Sequence, residues 1–321
     1  MHHVRSQSPA AKAKDRLLKS REVKLRLPQI LSALLLCQVA GLSKTYSDVE
    51  YSRHDGQSLS FDARVPDGPG EFPAVIVVHG GAWVAGDRRI SVQPILDPIA
   101  QAGIAWFSIS YRLANLADAD LMSALNAAST ISNAVEDVRE ALTFVRAHAA
   151  EYHVDPNRII LIGESAGAQL VSLAALKPVA TKPGDLKPAQ PEPVTGVVAF
   201  YSPSDLANIV QNSPRIPSAL RDRMRGTPLE AMILSVLKDL SPINWVHENS
   251  PPFLLVHGTG DMVVPFQQSV DFCRAVQKTG SSCQLYPVEG GGHGMRWWES
   301  RNLTSYKPEM IRWLRERLGL T

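Results

Sequence analysis

The segment LIGESAGAQL, residues 161–170, decides the fold, because an apolar run ends there at two glycines and a serine. The residues before it, RIILI, are typical of a buried strand, and the residues after it, AQLVSLAAL, suit a helix. Gly163, Ser165 and Gly167 form a G-x-S-x-G pattern, whose glycines allow strand and helix to meet closely at a strained turn. We therefore expect Ser165 to be exposed at a helix N-terminus, the alternative being a tight turn with only a structural role.

Strand-like and helix-like segments alternate on both sides of this turn. The predicted buried strands are AVIVVHG, GIAWFSISYR, RIILIGES, GVVAFYS, PFLLVHG and SSCQLYPVEG. Helical spacing of apolar residues predicts helices over 95–102, 134–149, 166–176, 270–278 and 310–318. This order predicts one α/β domain with a mostly parallel sheet and helices on both faces, with antiparallel edge strands formed by SDVEYSRHDGQSLSFDARVPDG and a surface loop over 177–193.

The N-terminal part differs from the rest of the chain. Basic residues cluster between residues 5 and 26, and an apolar run from Ile30 to Ala40 follows them. That run is too short to span a bilayer but suits the core of a signal peptide, with small residues before a cleavage after Gly41. We predict a basic region and signal peptide over 1–41 and a catalytic domain over 42–321. A packed amphipathic helix is the alternative, and Leu36 before Cys37 disfavours a lipoprotein.

Charge and motifs argue against nucleic acid, a nucleotide phosphate site and a metal ion. The net charge is +2 over 321 residues, and the basic excess comes from the N-terminal region, so nothing indicates nucleic-acid binding. No glycine-rich phosphate loop with lysine is present. The histidines lack ligand spacing with cysteine or acid, which predicts no metal site and no cofactor. His79 and His257 follow strands, where we expect them to hold loops. We expect a monomer or homodimer, with no stable membrane insertion after processing.

Cys273 and Cys283 are left if Cys37 is removed with a signal peptide. An even pair in an exported protein suits a disulfide. However, a helix and a sheet pack with backbones about 10 Å apart, whereas a disulfide needs Cα atoms within about 7 Å. On that argument two buried free thiols are favoured.

A serine nucleophile needs a general base and an acid that orients it. Asp261 lies just beyond a strand in LLVHGTGDMVVP, and His293 lies in a glycine-rich loop after the next strand, in YPVEGGGHGM. Carboxyl ends of parallel strands collect at one edge of a sheet, so the three residues are expected to meet there. We predict that Ser165, Asp261 and His293 form a catalytic triad, with Asp205 in YSPSDL as the substitute acid or a substrate contact.

A second loop offers hydrogen-bond donors for a developing oxyanion. In VIVVHGGAWVAGDRR a strand ends at His79, and residues 80–82 follow as a loop without bulky side chains. The predicted oxyanion hole is built around Gly80, Gly81, Ala82 and Ala166, with backbone N–H groups of the last three as the donors. A plain glycine turn is the alternative. Trp83 is expected either to line the acyl pocket or to pack.

These motifs, together with SISYRL and AVEDVREALTFVRAHAAEYHVDPN, resemble the α/β-hydrolase family of bacterial esterases related to hormone-sensitive lipase. Within it they are most similar to the branch of feruloyl and acetyl esterases of polysaccharide degradation, over roughly residues 55–318. The resemblance implies an α/β-hydrolase fold, the triad named above and a carboxylic ester substrate. The form H-G-G-x-W is shared with feruloyl-esterase-like proteins and kynurenine formamidases.

Two segments depart from that pattern. Residues 114–132 insert before the next helix and are expected to flank the cleft, and residues 206–246 are expected to form a small cap. Apolar residues of the cap are expected to contact substrate or to pack a helix on the domain. These are Met232, Ile233, Val236 and Leu237.

The resulting hypothesis is a secreted or periplasmic serine carboxylesterase that acts through an acyl-enzyme. Its expected substrates are short-chain or carbohydrate-linked esters of acetyl or feruloyl type, either small esters or an esterified polysaccharide. One alternative is an arylformamidase, because the same residues cleave formamides. The other is a catalytically silent protein that binds a ligand on a hydrolase scaffold.

Overall fold

The computed structural model describes residues 43–115, 121–179, 191, 193–212, 222, 223 and 225–320. The described chain is one compact unit that begins at Ser43. The predicted signal peptide and most of the predicted loop over 177–193 lie outside the described residues. In the described part, no helix combines the length and the apolar character needed to cross a bilayer.

Within the described residues, eight strands form one sheet in the order β1-β2-β4-β3-β5-β6-β7-β8. Their bounds are β1 Ser43–His54, β2 Gln57–Pro66, β3 Phe72–Val78, β4 Ala105–Ile109, β5 Val154–Glu164, β6 Gly196–Phe200, β7 Phe253–Gly258 and β8 Cys283–Val288. β1 and β2 pair antiparallel at one edge, as expected, and β2 also pairs antiparallel with β4. The other neighbours are parallel, so the ends of β3, β5, β6, β7 and β8 meet at one edge.

Helices cover both faces of this sheet. They are α1 Gln93–Gln101, α2 Leu121–Ala147, α3 Ala166–Leu176, α4 Leu206–Asn212, α5 Pro228–Asp239, α6 Gln267–Lys278, α7 Met295–Ser300 and α8 Tyr306–Leu318, with a 3₁₀ turn at Pro242–Trp245. Alternate residues of β3 point to opposite cores: Ile76 packs in the core that includes α2, and Val77 packs in the core that includes α8. The prediction of an α/β-hydrolase fold with a buried parallel sheet is therefore confirmed.

Helix α2 is longer than expected. Apolar spacing predicted a helix over 134–149, but the structure begins it at Leu121, inside the segment 114–132 treated as an insertion. Before residue 134 the few large apolar residues, Leu121, Met122, Leu125 and Ile131, are separated by small and polar ones, so the helical spacing is weaker there than over 135–145.

The expectation of free thiols was wrong, because Cys273 of α6 and Cys283 at the start of β8 form a disulfide. Their Cα atoms lie 5.4 Å apart. The mean separation of a helix and a sheet does not apply here, because Cys283 is the first residue of the edge strand and is buried in the same core as Cys273. The disulfide fastens α6 to the strand next to it.

Candidate active site

Ser165 lies in a strained turn between β5 and α3. Its backbone has φ 49° and ψ −118°, a conformation that non-glycine residues rarely adopt, and it precedes the first residue of α3. Glycine is required on both sides of Ser165 for a steric reason. A Cβ on Gly163 would lie 2.3 Å from the carbonyl oxygen of Gly167, and a Cβ on Gly167 would lie 2.3 Å from that of Val78. Strand and helix can approach each other here only without these side chains, as the sequence predicted.

A chain of hydrogen bonds joins Ser165, His293 and Asp261. His293 Nε2 lies 2.9 Å from Ser165 Oγ, and His293 Nδ1 lies 2.6 Å from Asp261 Oδ2. Because a carboxylate only accepts, Nδ1 carries the proton, and Nε2 is left to accept from the serine hydroxyl. The three residues predicted as a triad are thus together, in the geometry that proton transfer from the serine requires.

The carboxylate of Asp261 is held by several donors. Burial alone would raise its pKa, but hydrogen bonds from His257 and His293 and from the backbone outweigh burial and hold the pKa well below its usual range. Oδ1 accepts from the N–H groups of Val263 and Val264, at 2.8 and 2.9 Å. Asp261 therefore stays ionised and fixed in orientation at neutral pH.

His257 supports the same carboxylate from the buried side. Its Nε2 lies 3.0 Å from the carbonyl oxygen of Val264 and 3.4 Å from Asp261 Oδ2, and its Nδ1 lies 2.7 Å from Ser269 Oγ of α6. Both Nε2 neighbours are acceptors, so Nε2 carries the proton and Nδ1 accepts from the serine hydroxyl. The expectation that His257 holds a loop is confirmed, and the loop it holds is the one that carries Asp261.

The loop after β3 has an unusual backbone conformation at Gly81 and Ala82. Gly81 has φ +122°, and a Cβ there would lie 2.0 Å from the carbonyl oxygen of Ala85, so only glycine fits. Ala82 follows with φ 52°, and both residues are exposed. Ala82 and Ala166 line the same cavity as Ser165. His79 holds the start of the loop through a 2.7 Å hydrogen bond from Nδ1 to the Gly80 carbonyl.

Gly80 has a different role from the one predicted. Its N–H donates to Glu164 Oε1 over 3.0 Å, so it is not available to an oxyanion. Gly80 instead provides close approach, because a Cβ there would lie 3.1 Å from Ser165 Cβ. The three N–H groups predicted as donors are those of Gly81, Ala82 and Ala166. Within the described residues the structure shows no acceptor for them.

Two buried residues that the sequence did not single out connect these loops. The Glu164 carboxylate, 5% exposed, accepts from Gly80 N–H and from the hydroxyl of Tyr201, which is 1% exposed. That hydroxyl in turn accepts from the N–H of Met295, 3.1 Å away, and the Tyr201 ring packs edge-on against His293 at 4.7 Å. Burial and the adjacent carboxylate raise the pKa of Tyr201, so its proton stays in place. In the sequence, the sign that could have pointed to Glu164 was an acidic residue at the end of an otherwise apolar strand. We call Gly80, Glu164, Ser165, Tyr201, Asp261 and His293 the polar cluster.

Ser165 opens into a cavity of about 510 Å³ whose other described lining residues are apolar. Besides Ser165, these are Ala82, Trp83, Ala127, Ala128, Ile131, Ala166, Pro203, Leu206, Ile209, Val210, Ile233, Val236, Leu237, Leu240, Val263 and Val264. Trp83 does line it, with its indole N–H donating to Gln169 Oε1 over 3.0 Å. We call the cavity-lining residues of α2, α4 and α5 the apolar wall: Ala127, Ala128, Ile131, Leu206, Ile209, Val210, Ile233, Val236 and Leu237.

The two predicted insertions both reach this cavity. The segment 114–132 contributes Ala127, Ala128 and Ile131 from the first half of α2, and the segment 206–246 contributes residues of α4 and α5. Ile233, Val236 and Leu237 line the cavity as anticipated, whereas Met232 is 39% exposed and does not.

Asp205 is not part of the site. Its Oδ1 accepts from the N–H of Asn208 over 2.9 Å, which caps α4, and its own N–H donates to Gln268. It neither contacts His293 nor lines the cavity among the described residues. An aspartate directly before a helix is a typical N-cap, and this explains its position in YSPSDL better than a substrate contact does.

One cluster of potential metal ligands occurs among the described residues, at His54, Asp137 and Glu140. Asp137 is already engaged by Arg112, whose Nε lies 2.9 Å from Oδ1 and whose N–H lies 2.8 Å from Oδ2. His54 and Ser52 both contact Glu140 Oε2, at 2.8 and 2.6 Å. The cluster is therefore an ion-pair network between β1 and α2, and we assign no metal to it.

Comparison with known proteins identifies the family. The model of the BD-FAE family matches residues 62–276, which is more than half of the chain. The chain belongs to the BD-FAE family. The matched region begins in β2 and ends in α6, so it includes the loop after β3, Ser165 and Asp261, while His293 lies beyond it.

Curated relatives of this BD-FAE member include two proteins of Mycobacterium tuberculosis. The "probable carboxylic ester hydrolase LipM" is 33% identical over 216 residues, 65% of this chain and 46% of the relative. "Esterase LipQ" is 31% identical over 253 residues, 77% of this chain and 56% of the relative. The chain thus spans about half the length of these relatives.

Solved structures agree on the fold. A thermophilic esterase from Thermogutta terrifontis is 23% identical and superposes with a TM-score of 0.65, over 87% of this chain and 93% of the other. A truncated carbohydrate esterase from gut microbiota is 25% identical with a TM-score of 0.65, over 86% of this chain and 96% of the other. The fold of the BD-FAE member is that of the α/β-hydrolase esterases.

Proposed function

We propose that the protein is a serine carboxylesterase with Ser165 as nucleophile, His293 as general base and acid, and Asp261 as the residue that orients His293. The observation that carries this proposal is the chain of hydrogen bonds from Ser165 Oγ through His293 to Asp261, together with the apolar cavity that Ser165 lines. The family and the relatives named as ester hydrolases support the same reaction.

The reaction proceeds in two displacements. Ser165 Oγ attacks the ester carbonyl carbon while its proton moves to His293 Nε2, and the carbonyl oxygen becomes an oxyanion that accepts from the N–H groups of Gly81, Ala82 and Ala166. The bond to the alcohol oxygen then breaks, and that oxygen takes the proton from His293. Water attacks the acyl-enzyme, gives its proton to His293, and releases the acid as Ser165 regains its hydrogen.

We further propose that the protein is exported. The disulfide between Cys273 and Cys283 supports this, because disulfides persist in oxidising compartments, and so does the apolar run from Ile30 to Ala40. Expression of the full chain in a bacterial host is expected to place it in the periplasm or medium with its N-terminus after Gly41. Retention in the cytosol with an intact N-terminus would contradict export.

The test of the esterase is hydrolysis of 4-nitrophenyl esters by the wild type and by Ser165→Ala. We expect the variant to lose activity by a factor on the order of 10⁴ or more, and to lose covalent labelling by a fluorophosphonate, while its unfolding curve matches the wild type. If the folded wild type hydrolyses no ester, turnover of N-formylkynurenine would indicate an arylformamidase. Absence of both turnover and labelling would indicate a binding protein.

A further inference from the structure

The cavity beside Ser165 is larger than an acetyl group requires. Its volume of about 510 Å³ lies within the range typical of sites for whole small molecules, roughly 300–1,000 Å³. It is enclosed by three helices: α2 on one side, and α4 and α5 of the cap. An acyl group attached to Ser165 Oγ would have this space next to it, because Ser165 itself lines the cavity together with Ala82 and Ala166.

The described lining residues offer almost no hydrogen bonding to what enters. The one side-chain donor besides Ser165 is the indole N–H of Trp83, and it is already engaged by Gln169 Oε1. Gln169 is itself buried and fixed, since its amide donates to the carbonyl of Leu240 over 2.7 Å. These bonds hold Trp83 in place and leave its ring as an apolar surface.

We propose that this cavity binds a saturated aliphatic acyl chain of about six to ten carbons, so that the preferred substrates are medium-chain esters. The proposal rests on the proposed esterase function and adds the class of acyl group. Each methylene placed against the apolar wall favours the transition state by up to about fourfold, so an acetyl group would leave most of this gain unused. A feruloyl group would bury a phenolic hydroxyl for which the described lining residues provide no partner, which is unfavourable.

The helices provide matched ways to change the wall. Ala127 and Ile131 are four residues apart on α2, so a larger side chain at 127 projects beside Ile131 into the cavity. Val236 of α5 is only half-buried, and threonine there introduces a hydroxyl with little change of shape. Ser235, its exposed neighbour on the same helix, supplies the control substitution.

The experiment measures kcat/KM for 4-nitrophenyl acetate, butyrate, hexanoate, octanoate and ferulate at concentrations below micelle formation. For the wild type we expect octanoate to exceed both acetate and ferulate by at least about tenfold. Ala127→Phe is expected to lower the octanoate value about tenfold or more while changing the acetate value less than about twofold. Val236→Thr should act in the same direction by about threefold to tenfold, and Ser235→Ala should change nothing.

A maximum at acetate or ferulate, or an equal decrease for all esters in both wall variants, would overturn the proposal. If Ala127→Phe fails to fold, the ratio of octanoate to acetate kcat/KM in Val236→Thr tests the proposal. Failure of the esterase function is a separate result, in which no ester is hydrolysed and Ser165 is not labelled. In that case calorimetry with octanoate, acetate and ferulate still tests the cavity, since binding of octanoate alone is expected and preferential binding of ferulate would contradict it.

Discussion

The polar cluster and the apolar wall meet at Ser165, which lines the cavity, but they are built in opposite ways. In the polar cluster, side chains such as Glu164 and Asp261 are almost fully buried and each has several hydrogen-bond partners. In the cap part of the apolar wall, α5 contains no fully buried residue, and its contribution to the cavity consists of half-buried aliphatic side chains. A buried polar group without a partner costs about 1–3 kcal/mol, so the polar cluster tolerates little change, whereas the wall can vary.

The comparison implies a division of roles in which the polar cluster determines the rate for every ester and the wall determines which acyl group is preferred. Substitutions in the polar cluster should therefore lower kcat/KM by similar factors for acetate and octanoate. Substitutions in the wall should change the ratio between these two esters.

The largest effect is expected from Asp261→Asn. Loss of the carboxylate removes the acceptor that keeps the proton on His293 Nδ1, and the neutral imidazole then presents the wrong nitrogen to Ser165. We expect kcat to fall on the order of 10⁴-fold for acetate and octanoate alike. Steady-state kinetics at neutral pH measure this.

Asp205→Asn is the matched control for that variant. Asparagine also caps helices, so α4 should keep its start, and kcat/KM should stay within about twofold of the wild type. A comparable loss in both variants would show that Asp205 acts in the reaction after all.

Glu164→Ala is expected to have the next largest effect. It leaves the Gly80 N–H and the Tyr201 hydroxyl without their shared acceptor, and the loop that carries Gly81 and Ala82 loses this attachment while it keeps the hydrogen bond from His79 at its start. We expect kcat/KM to fall about 10²-fold and the free energy of unfolding to fall by about 1–3 kcal/mol.

Glu164→Gln distinguishes positioning from a purely structural role. Its amide oxygen can still accept from Gly80, so it should restore most of kcat while the alanine variant keeps a low kcat with little change in KM. The division of roles would be contradicted if either variant changed the ratio of octanoate to acetate activity as strongly as a wall variant does.

The sequence predicted some parts of the site and missed others, and the difference lies in whether a feature depends on local pattern or on packing. The turn at Ser165 and the positions of Asp261 and His293 depend on local glycine patterns and on strand order, both visible in the chain. The partnership of Glu164 with Gly80 joins residues 84 positions apart, and the Cys273–Cys283 disulfide depends on local packing, so neither followed from spacing. The first half of α2 was treated as an insertion, because its few large apolar residues are separated by small and polar ones.

The disulfide lies on a third element that touches the polar cluster indirectly. Helix α6 carries Ser269, which bonds His257, and Cys273, which bonds Cys283. Replacing both cysteines by serine should lower the free energy of unfolding by roughly 2–3 kcal/mol, because the unfolded chain regains the freedom of a short closed loop. Urea unfolding measures this change. Since His257 keeps its other contacts, kcat/KM should stay within about twofold, and a larger decrease would mean that α6 positions Asp261.

The smallest effect concerns pH and His79, the buried residue beneath the loop of Gly81. Burial lowers its pKa, and the hydrogen bond to the Gly80 carbonyl only partly opposes this. Below about pH 6.5 the unfolded chain therefore binds a proton at His79 that the folded chain does not, so the free energy of unfolding should fall as the pH falls from about 6.5 toward 5. The slope contributed by one such group is at most about 1.4 kcal/mol per pH unit. Urea unfolding at several pH values should show a shallower slope for His79→Gln than for the wild type. Equal slopes in the two proteins would assign the acid sensitivity to groups other than His79.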